Sequence, residues 1–454
     1  MIIRNRDELT SKGNIHGRQT ALAIIEFALQ NVNSHNLVKK QVELGPDQLR
    51  IGPLKYDVSK IDDIFVVGGG KQVTFAASAL EEALGKRIRE GVVVEKRGWG
   101  CKTNLIRVVE GGHPIPDSGS VEGANEIVRI VKRAKETDLV IVCVTGGCTS
   151  LTMLPPEGIT LDDVRDVTQL LLASGAPIEH MNAVRKHLSQ VGGGKLAILA
   201  RGTELVSLIA MDEVVGKPWG PTIPDTTSFS DAKQVLVKYG LWDRTPASVR
   251  NYFELAVVSQ ETPKLVDFER LGVRARHVVF ADNGMLCRAA ERKATELGLG
   301  AATLSTSVEG DAREVGTVLA SIAREIENNG RPFKPPCILI AGGETTVKIR
   351  DTHGQGGRNQ ELTLAAALKI VGSKGITIVS VDTDGTDGPT DIAGAVADGY
   401  TLQRANNLKV HIIEELDNHN SSNVFRKLSD AVYTNDTGTN LMDLTLIVVL
   451  SPLA

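Results

Sequence analysis

Aromatic residues make up only 4% of this 454-residue chain. So few rings argue against a surface that stacks nucleobases. A basic excess is missing too. The formal net charge is −4 and no basic stripe is visible, so neither nucleic acid nor a membrane surface is an expected partner. Cysteine is sparse. Cys101, Cys143, Cys148, Cys287 and Cys337 are odd in number, irregularly spaced and without a CxxC pair. That argues against a disulfide scaffold or a zinc site and fits a reducing compartment. Long apolar runs are lacking: Leu139–Val144, among the strongest, is strand-length and far short of a membrane span. Met1 to His16 is polar and lacks the apolar core of a signal peptide. A cytoplasmic location is therefore expected.

What is present is an ordinary globular composition, 42% hydrophobic and 23% charged. The length suggests more than one domain, at roughly 100–200 residues each. Short β-branched runs alternate with amphipathic segments. Strands are expected at Ile64–Val67, Gly91–Val94, Leu139–Val144 and Leu205–Ala210. Helices are expected at Val73–Leu84, Glu122–Ala134 and Leu161–Leu172, the last opened by Thr160 as N-cap. Continuous apolar strands separated by helices indicate a mostly parallel sheet covered on both faces. Asp225 to Glu261 reads as polar and irregular, which places a domain boundary near Asn251. A second series follows, with strands at His277–Ala281, Cys337–Ala341, Ile376–Val381 and Leu444–Leu450. Its helices are expected at Met285–Leu297, Asp311–Asn328 and Asn359–Ile370.

Glycines gather at the predicted strand ends, the edge where open α/β sheets bind ligands. Gly68-Gly69-Gly70-Lys71 would let backbone N–H groups approach an oxyanion, with Lys71 adding charge. A tight turn with a solvated lysine is the plainer alternative. This loop is no Walker A motif, and as a dinucleotide fingerprint it fails at Val73. Glu95, ending the next strand, could imitate a ribose-binding acid. Thr145-Gly146-Gly147-Cys148-Thr149-Ser150 offers small and hydroxylic donors. Cys148 is a nucleophile only if a base or positive field activates it, and otherwise fills a tight loop. Gly111-Gly112-His113-Pro114 could carry an acid or base at His113, or a rigid turn. Asn182, Arg185 and Lys186 lie near one helical face and suit a carboxylate or phosphate; the triple-glycine turn Gly192-Gly193-Gly194 and Lys195 follow.

In the second half, Gly342-Gly343-Glu344 precedes Gly356-Gly357-Arg358-Asn359. There a guanidinium fork at a helix start suits phosphoryl oxygens. Asp382, Asp384, Asp387 and Asp391 crowd one loop after a strand. They need hydrogen bonds or a cation to offset repulsion, and Mg²⁺ is one candidate.

The ordered set GGGK (68–71), GGHPIPD (111–117), NAVRKHLS (182–189), GGETTV (342–347), GGRNQE (356–361), TDGTDGPTDIAG (383–394) and TGTN (437–440) resembles the class II glycerate 2-kinase family. The resemblance implies two α/β domains: a Rossmann-like parallel-sheet domain over residues 1–250 and a MOFRL-type domain over 251–454. It also implies ATP- and Mg²⁺-dependent phosphorylation of D-glycerate at its 2-hydroxyl, in a cleft between the domains. Lys71 and Arg358 match the family's catalytic basic residues. Family members are often labelled hydroxypyruvate reductases, but this chain has no good dinucleotide fingerprint. It departs from the family pattern at Cys148, which stands where a third glycine is usual. It departs again in an apparently shortened Gly216–Thr222 stretch.

In-line phosphoryl transfer would use Lys71, Arg358 and Mg²⁺ on Asp382 or Asp384, with Asp387 as a candidate proton acceptor. Gly69, Gly70, His113, Gly147, Ser150, Asn182, Arg185, Lys186, Glu344 and Asn359 are the candidate substrate and phosphate contacts. The two departures keep a related hydroxy acid, or an inactive ligand-binding homologue, open as alternatives. The sequence does not decide between a monomer and a homodimer.

Overall fold

The structure, a computed structural model, describes residues 1–200, 202–211, 218–349 and 354–451. They form two compact units, one of residues 34–211 with 218–280, the other of 1–33 with 281–451.

In the first unit, β1 (Val42–Leu44), β2 (Gln48–Ile51) and β3 (Leu54–Asp57) make a small antiparallel sheet. The main sheet contains β4 (Ile64–Gly69), β5 (Ile88–Lys96), β6 (Ile106–Gly111), β7 (Leu139–Val144), β8 (Glu204–Ala210) and β9 (Arg274–Ala281), in the order β6-β5-β4-β7-β8-β9. From β6 through β8 the pairing is parallel. Every residue of β4 and β7 is buried. That explains why their sequences are continuously apolar rather than alternating. Helix Ser118–Arg133 packs Ala124, Ile127 and Ile130 in one core with Val92, Val94 and Val109. Each of these valines and isoleucines contributes about 1.5–3 kcal/mol on burial. The chain steps from β4 outward to β5 and β6, then returns to β7 on β4's other side. The crevice of a doubly wound sheet lies at such a reversal.

Asp225 to Glu261 is not irregular. It holds helices Phe229–Lys238 and Ala247–Leu255. Asn251 lies inside the second of them, whose Val249, Tyr252 and Phe253 belong to a core shared with Val164, Leu171 and Leu236. Strand β9 then joins the first unit's sheet. The compact unit therefore continues to Phe280, and a single cut near Asn251 does not describe it.

The second unit is a mixed sheet of β10 (Gly300–Val308), β11 (Cys337–Gly343), β12 (Ile376–Asp382), β13 (Gly394–Asp398), β14 (Ala431–Val432) and β15 (Asp443–Val449), ordered β10-β11-β15-β12-β13-β14. Only β10 and β11 pair in parallel. Helices Ala312–Asn329 and Arg358–Lys369 cover it. Helix Ile15–Asn31, from the chain's start, packs on β12 and β15.

One side chain holds that helix in place. Arg18 is fully buried; its Nε donates to Asp398 Oδ2 at 2.6 Å and its Nη1 to Asp430 Oδ1 at 2.7 Å and to the Leu9 carbonyl at 3.1 Å. Removing one member of such a network leaves the others buried without compensation. Arg18→Ala is expected to lower unfolding free energy by about 3–5 kcal/mol, measured by chemical denaturation. A loss below about 1 kcal/mol would show that the network does not anchor the segment.

Candidate active site

At the reversal between β4 and β7, the two glycine loops lock together. Gly70 has φ 135°, and a Cβ there would lie 2.4 Å from the Thr145 carbonyl oxygen. The Lys71 N–H donates to Gly146 O at 2.7 Å, Thr145 N–H to Gly69 O at 3.2 Å, and Thr145 Oγ1 to Lys71 O at 2.8 Å. The glycines thus serve close packing of one loop on the other.

They do not leave the helix start open to an anion. Glu95, fully buried, accepts from the N–H groups of Gln72 (2.8 Å), Thr74 (3.2 Å) and Lys96 (3.0 Å) and from Thr74 Oγ1 (3.1 Å). Burial pushes its carboxyl up to about 7, against the pull of those donors. The chain's own carboxylate thus takes the helix start behind Gly68–Lys71, and the N–H groups of Gly70 and Lys71 go to the Val94 and Gly146 carbonyls. Glu95 is also not available to a ribose. Lys71 remains as the loop's presented charge, half-buried. Beside it stands Gln72 with φ 65°, its side-chain amide buried with no hydrogen-bond partner. Nothing in the sequence signals that amide; only its strained backbone and missing partner do.

A cation sits in the neighbouring loop. Arg185, from helix Ile178–His187, donates from Nη2 to Ser150 Oγ, and Ser150 Oγ donates to the Pro114 carbonyl at 2.7 Å. Gly147 lies against His113: a Cβ on it would be 2.6 Å from the imidazole. The structure thus brings His113, Gly147, Ser150 and Arg185 together, with Asn182 one turn away and buried. No carboxylate pairs with Arg185 among the described residues, and its Nε is buried without a partner. Burial pulls its pKa to about 10, so it stays charged at neutral pH. Lys186 turns elsewhere, to the buried carboxylate of Asp225 at 3.3 Å. It is therefore not a free partner for the same anion.

Cys148 opens the short helix Cys148–Leu151 and packs in the core. The left-handed backbone, φ 81°, falls on Gly147. Its extra Cβ therefore costs the loop no strain. Asp212 to Lys217, part of the apparently shortened stretch, lies outside the described residues.

In the second unit, Arg358 opens helix Arg358–Lys369 amid three carboxylates. Its Nε donates to Asp443 Oδ2 (2.8 Å), its Nη2 to Asp443 Oδ1 (2.9 Å) and Asp382 Oδ2 (2.8 Å), and its Nη1 faces Glu344 Oε1 at 3.1 Å. Burial opposes its charge, but Asp443, Glu344 and Asp382 hold its pKa well above the ordinary value. Asp443, at the start of β15, was not signalled by any motif; burial pushes it up to about 6 despite Arg358. Asn359 donates from Nδ2 to Asp443 Oδ1 at 2.8 Å. Asn283 fixes the approach of Asp443 by donating to the Leu441 and Asp443 carbonyls at 2.7 and 3.1 Å.

Asp387 has a different place from the one expected. Fully buried, it accepts from the N–H groups of Asn359 (3.1 Å) and Gln360 (2.9 Å) and from their side-chain amides (3.2 and 3.0 Å). It clasps the start of the helix that carries Arg358, and both oxygens are used. That corrects its candidate role as proton acceptor. Asp384 takes up Thr386 N–H and Oγ1, and Asp382 Oδ1 takes the Asp384 N–H. No cluster of three or more metal-ligating side chains is assembled among the described residues. An ion held by one or two carboxylates and phosphate oxygens does not need one.

Residues 20–254 match a family described as a domain of unknown function, DUF4147, and residues 337–443 match the MOFRL family. The chain is 37% identical to the glycerate 2-kinase of Pyrococcus horikoshii, over 96% of this chain and 98% of that one. It is also 37% identical to the D-glycerate 2-kinase of Thermotoga maritima, over 90% and 96%. The chain belongs to the glycerate 2-kinase family. A crystal structure of Thermotoga maritima glycerate kinase superposes with a TM-score of 0.79 at 34% identity, covering 95% of this chain and 99% of that one. Family membership thus accounts for both fold units. Among the described residues, no helix is long and apolar enough to cross a membrane.

Asp387→Ala is expected to remove about 2–4 kcal/mol of stability, since four donors lose their acceptor. Thermal unfolding reads this directly. Unchanged melting with a large loss of kcat would restore Asp387 to a chemical role.

Proposed function

We propose that this chain is a kinase that transfers the γ-phosphoryl group of ATP to the 2-hydroxyl of D-glycerate, giving 2-phosphoglycerate. Arg185 carries the reading. A half-buried guanidinium whose Nε is enclosed without a partner, with no carboxylate partner among the described residues and braced on Ser150 beside Gly147 and His113, is poised for an anionic substrate. The carboxylate of glycerate is such a group. The names of the relatives from Pyrococcus horikoshii and Thermotoga maritima point to the same substrate.

Phosphoryl transfer is mainly positioning and charge stabilisation. Lys71, locked by the Gly146 contact, and Arg358, fixed by Asp443, supply positive charge to the transferring group. Asp382 or Asp384 would hold Mg²⁺ together with phosphate oxygens, next to the carboxylates of Glu344 and Asp443 that share Arg358 with Asp382. Three carboxylates on one guanidinium leave net negative charge there, and their hard oxygens suit that ion. When bound, Mg²⁺ neutralises developing charge on the phosphates. The loose transition state asks little of a base, so the loss of Asp387 from that role leaves the mechanism intact.

A hydroxypyruvate reductase gains no support from the geometry, because Glu95 is spent on its own helix. A kinase for a related hydroxy acid stays in play, since Arg185 reads only the carboxylate.

With ATP, Mg²⁺ and D-glycerate, the expected product is 2-phosphoglycerate, resolved from the 3-isomer by NMR. Lys71→Ala is expected to lower kcat/KM by about 10²-fold or more, and Arg185→Met to act chiefly on glycerate KM, by about 10-fold or more. Near-wild-type kcat/KM in both Lys71→Ala and Arg358→Ala would overturn the mechanism.

A further inference from the structure

The first unit contains a cavity of about 550 Å³ that none of Lys71, His113, Gly147, Ser150 or Arg185 lines. Its size falls within the range of small-molecule sites. Ile198, Leu199, Tyr252 and Leu271 give it apolar walls. Lys195 enters it from the turn Gly193–Gly194, with φ 60° and 87°. That turn presses on the far wall: a Cβ at Gly193 would meet Thr262 Cγ2 at 2.8 Å.

Three acids and three bases line it, and Glu261 and the nearby Asp225 both act on Lys195 through space, but each of those two carboxylates is already paired with another lysine, Lys264 and Lys186. Lys264 pairs with Glu261 at 3.4 Å and donates to Thr262 Oγ1 at 2.8 Å. Arg270 pairs with Asp267 at 2.7 Å. Lys195 Nζ donates to the Ser189 carbonyl at 2.9 Å and has no carboxylate partner among the described residues. Glu157, the remaining acid of the lining, is exposed and pairs with none of these cations. Burial pulls the Lys195 ammonium down to about 8. An ammonium half withdrawn from water beside apolar walls, which Glu261 and Asp225 reach only through space while paired with Lys264 and Lys186, is stabilised by an anion that brings its own apolar body.

We propose that this cavity is a second ligand site, separate from the phosphoryl-transfer chemistry. It takes a small organic anion whose carboxylate or phosphate rests on Lys195 and whose body lies against Ile198, Leu199, Tyr252 and Leu271. Ser189, whose carbonyl accepts from the Lys195 ammonium, lies just past the helix that carries Arg185, so an occupant bears on the segment that positions it.

The test uses the full chain and the probe 8-anilino-1-naphthalenesulfonate, followed by fluorescence. The wild type and Lys195→Arg are expected to bind one equivalent, and Lys195→Met to bind at least tenfold more weakly with unchanged melting. On the wild type alone, benzoate or phenyl phosphate should displace the probe, and the stronger competitor identifies the head group. Equal displacement by neutral benzyl alcohol, displacement by none of the three, or wild-type affinity in Lys195→Met would overturn the proposal. A kinase assay without the probe decides the phosphoryl-transfer reading separately.

Discussion

The contact on which the first unit's site depends is the hydrogen bond from the Lys71 N–H to the Gly146 carbonyl, with Gly70 pressed on Thr145. It ties the end of β4 to the end of β7, the two strands between which the chain reverses its winding. Any side chain at Gly70 would drive those loops apart. Everything else in that site is fixed relative to this junction: Lys71 on one loop, and on the other Gly147, Ser150 and, through Ser150, Arg185. Glycine is needed here because two backbones must touch, a different reason from the anion cradle that glycine-rich loops often form.

The second unit solves the same problem with charge instead of close backbone packing. Arg358 is held from several directions by Asp443, Asp382 and Glu344. Its helix is held at the first turn by Asp387. A guanidinium so fixed loses little freedom when a phosphoryl group arrives, which is what preorganised stabilisation requires. Burial raises the Asp443 carboxyl to about 6, and repulsion from Glu344 adds to it in a smaller part. A divalent cation offsets that repulsion and adds to the charge available for transfer.

How much of this was legible in the sequence depended on range. Helix Val73–Leu84 and strand β7 were read to the residue, because an unbroken buried run and a clean glycine boundary are local signals. The glycine-rich turns that precede Lys71, Ser150 and Arg358 were legible for the same reason. Helix Phe229–Lys238 was missed although Ser228 and Asp231 form a capping box around it; the polar residues between its apolar positions hid the period. Arg18 could not be placed, since its partners are 380 and 412 residues away. Asp387 was misread for the same reason. Within its own loop it looks like one more acid near a cation, and only Asn359 and Gln360, 28 and 27 residues earlier, reveal a helix clasp.

The two arginines, one in each unit, differ in their surroundings. Arg358 is over-compensated: three carboxylates make its local charge negative, so it suits a place where a metal and polyphosphate bring charge of both signs. Arg185 is under-compensated: it meets the Ser150 hydroxyl and, among the described residues, no carboxylate, which under the proposed function suits a single anion. Exchanging their environments would change both, because an Arg185 paired with a carboxylate would no longer offer its charge to an anion, and an Arg358 stripped of Asp443 would lose the fixed fork. The distinction lies in the neighbours, not in the residue type, and it is what makes a carboxylate-bearing acceptor and a phosphoryl donor the consistent reading of these two sets of side chains.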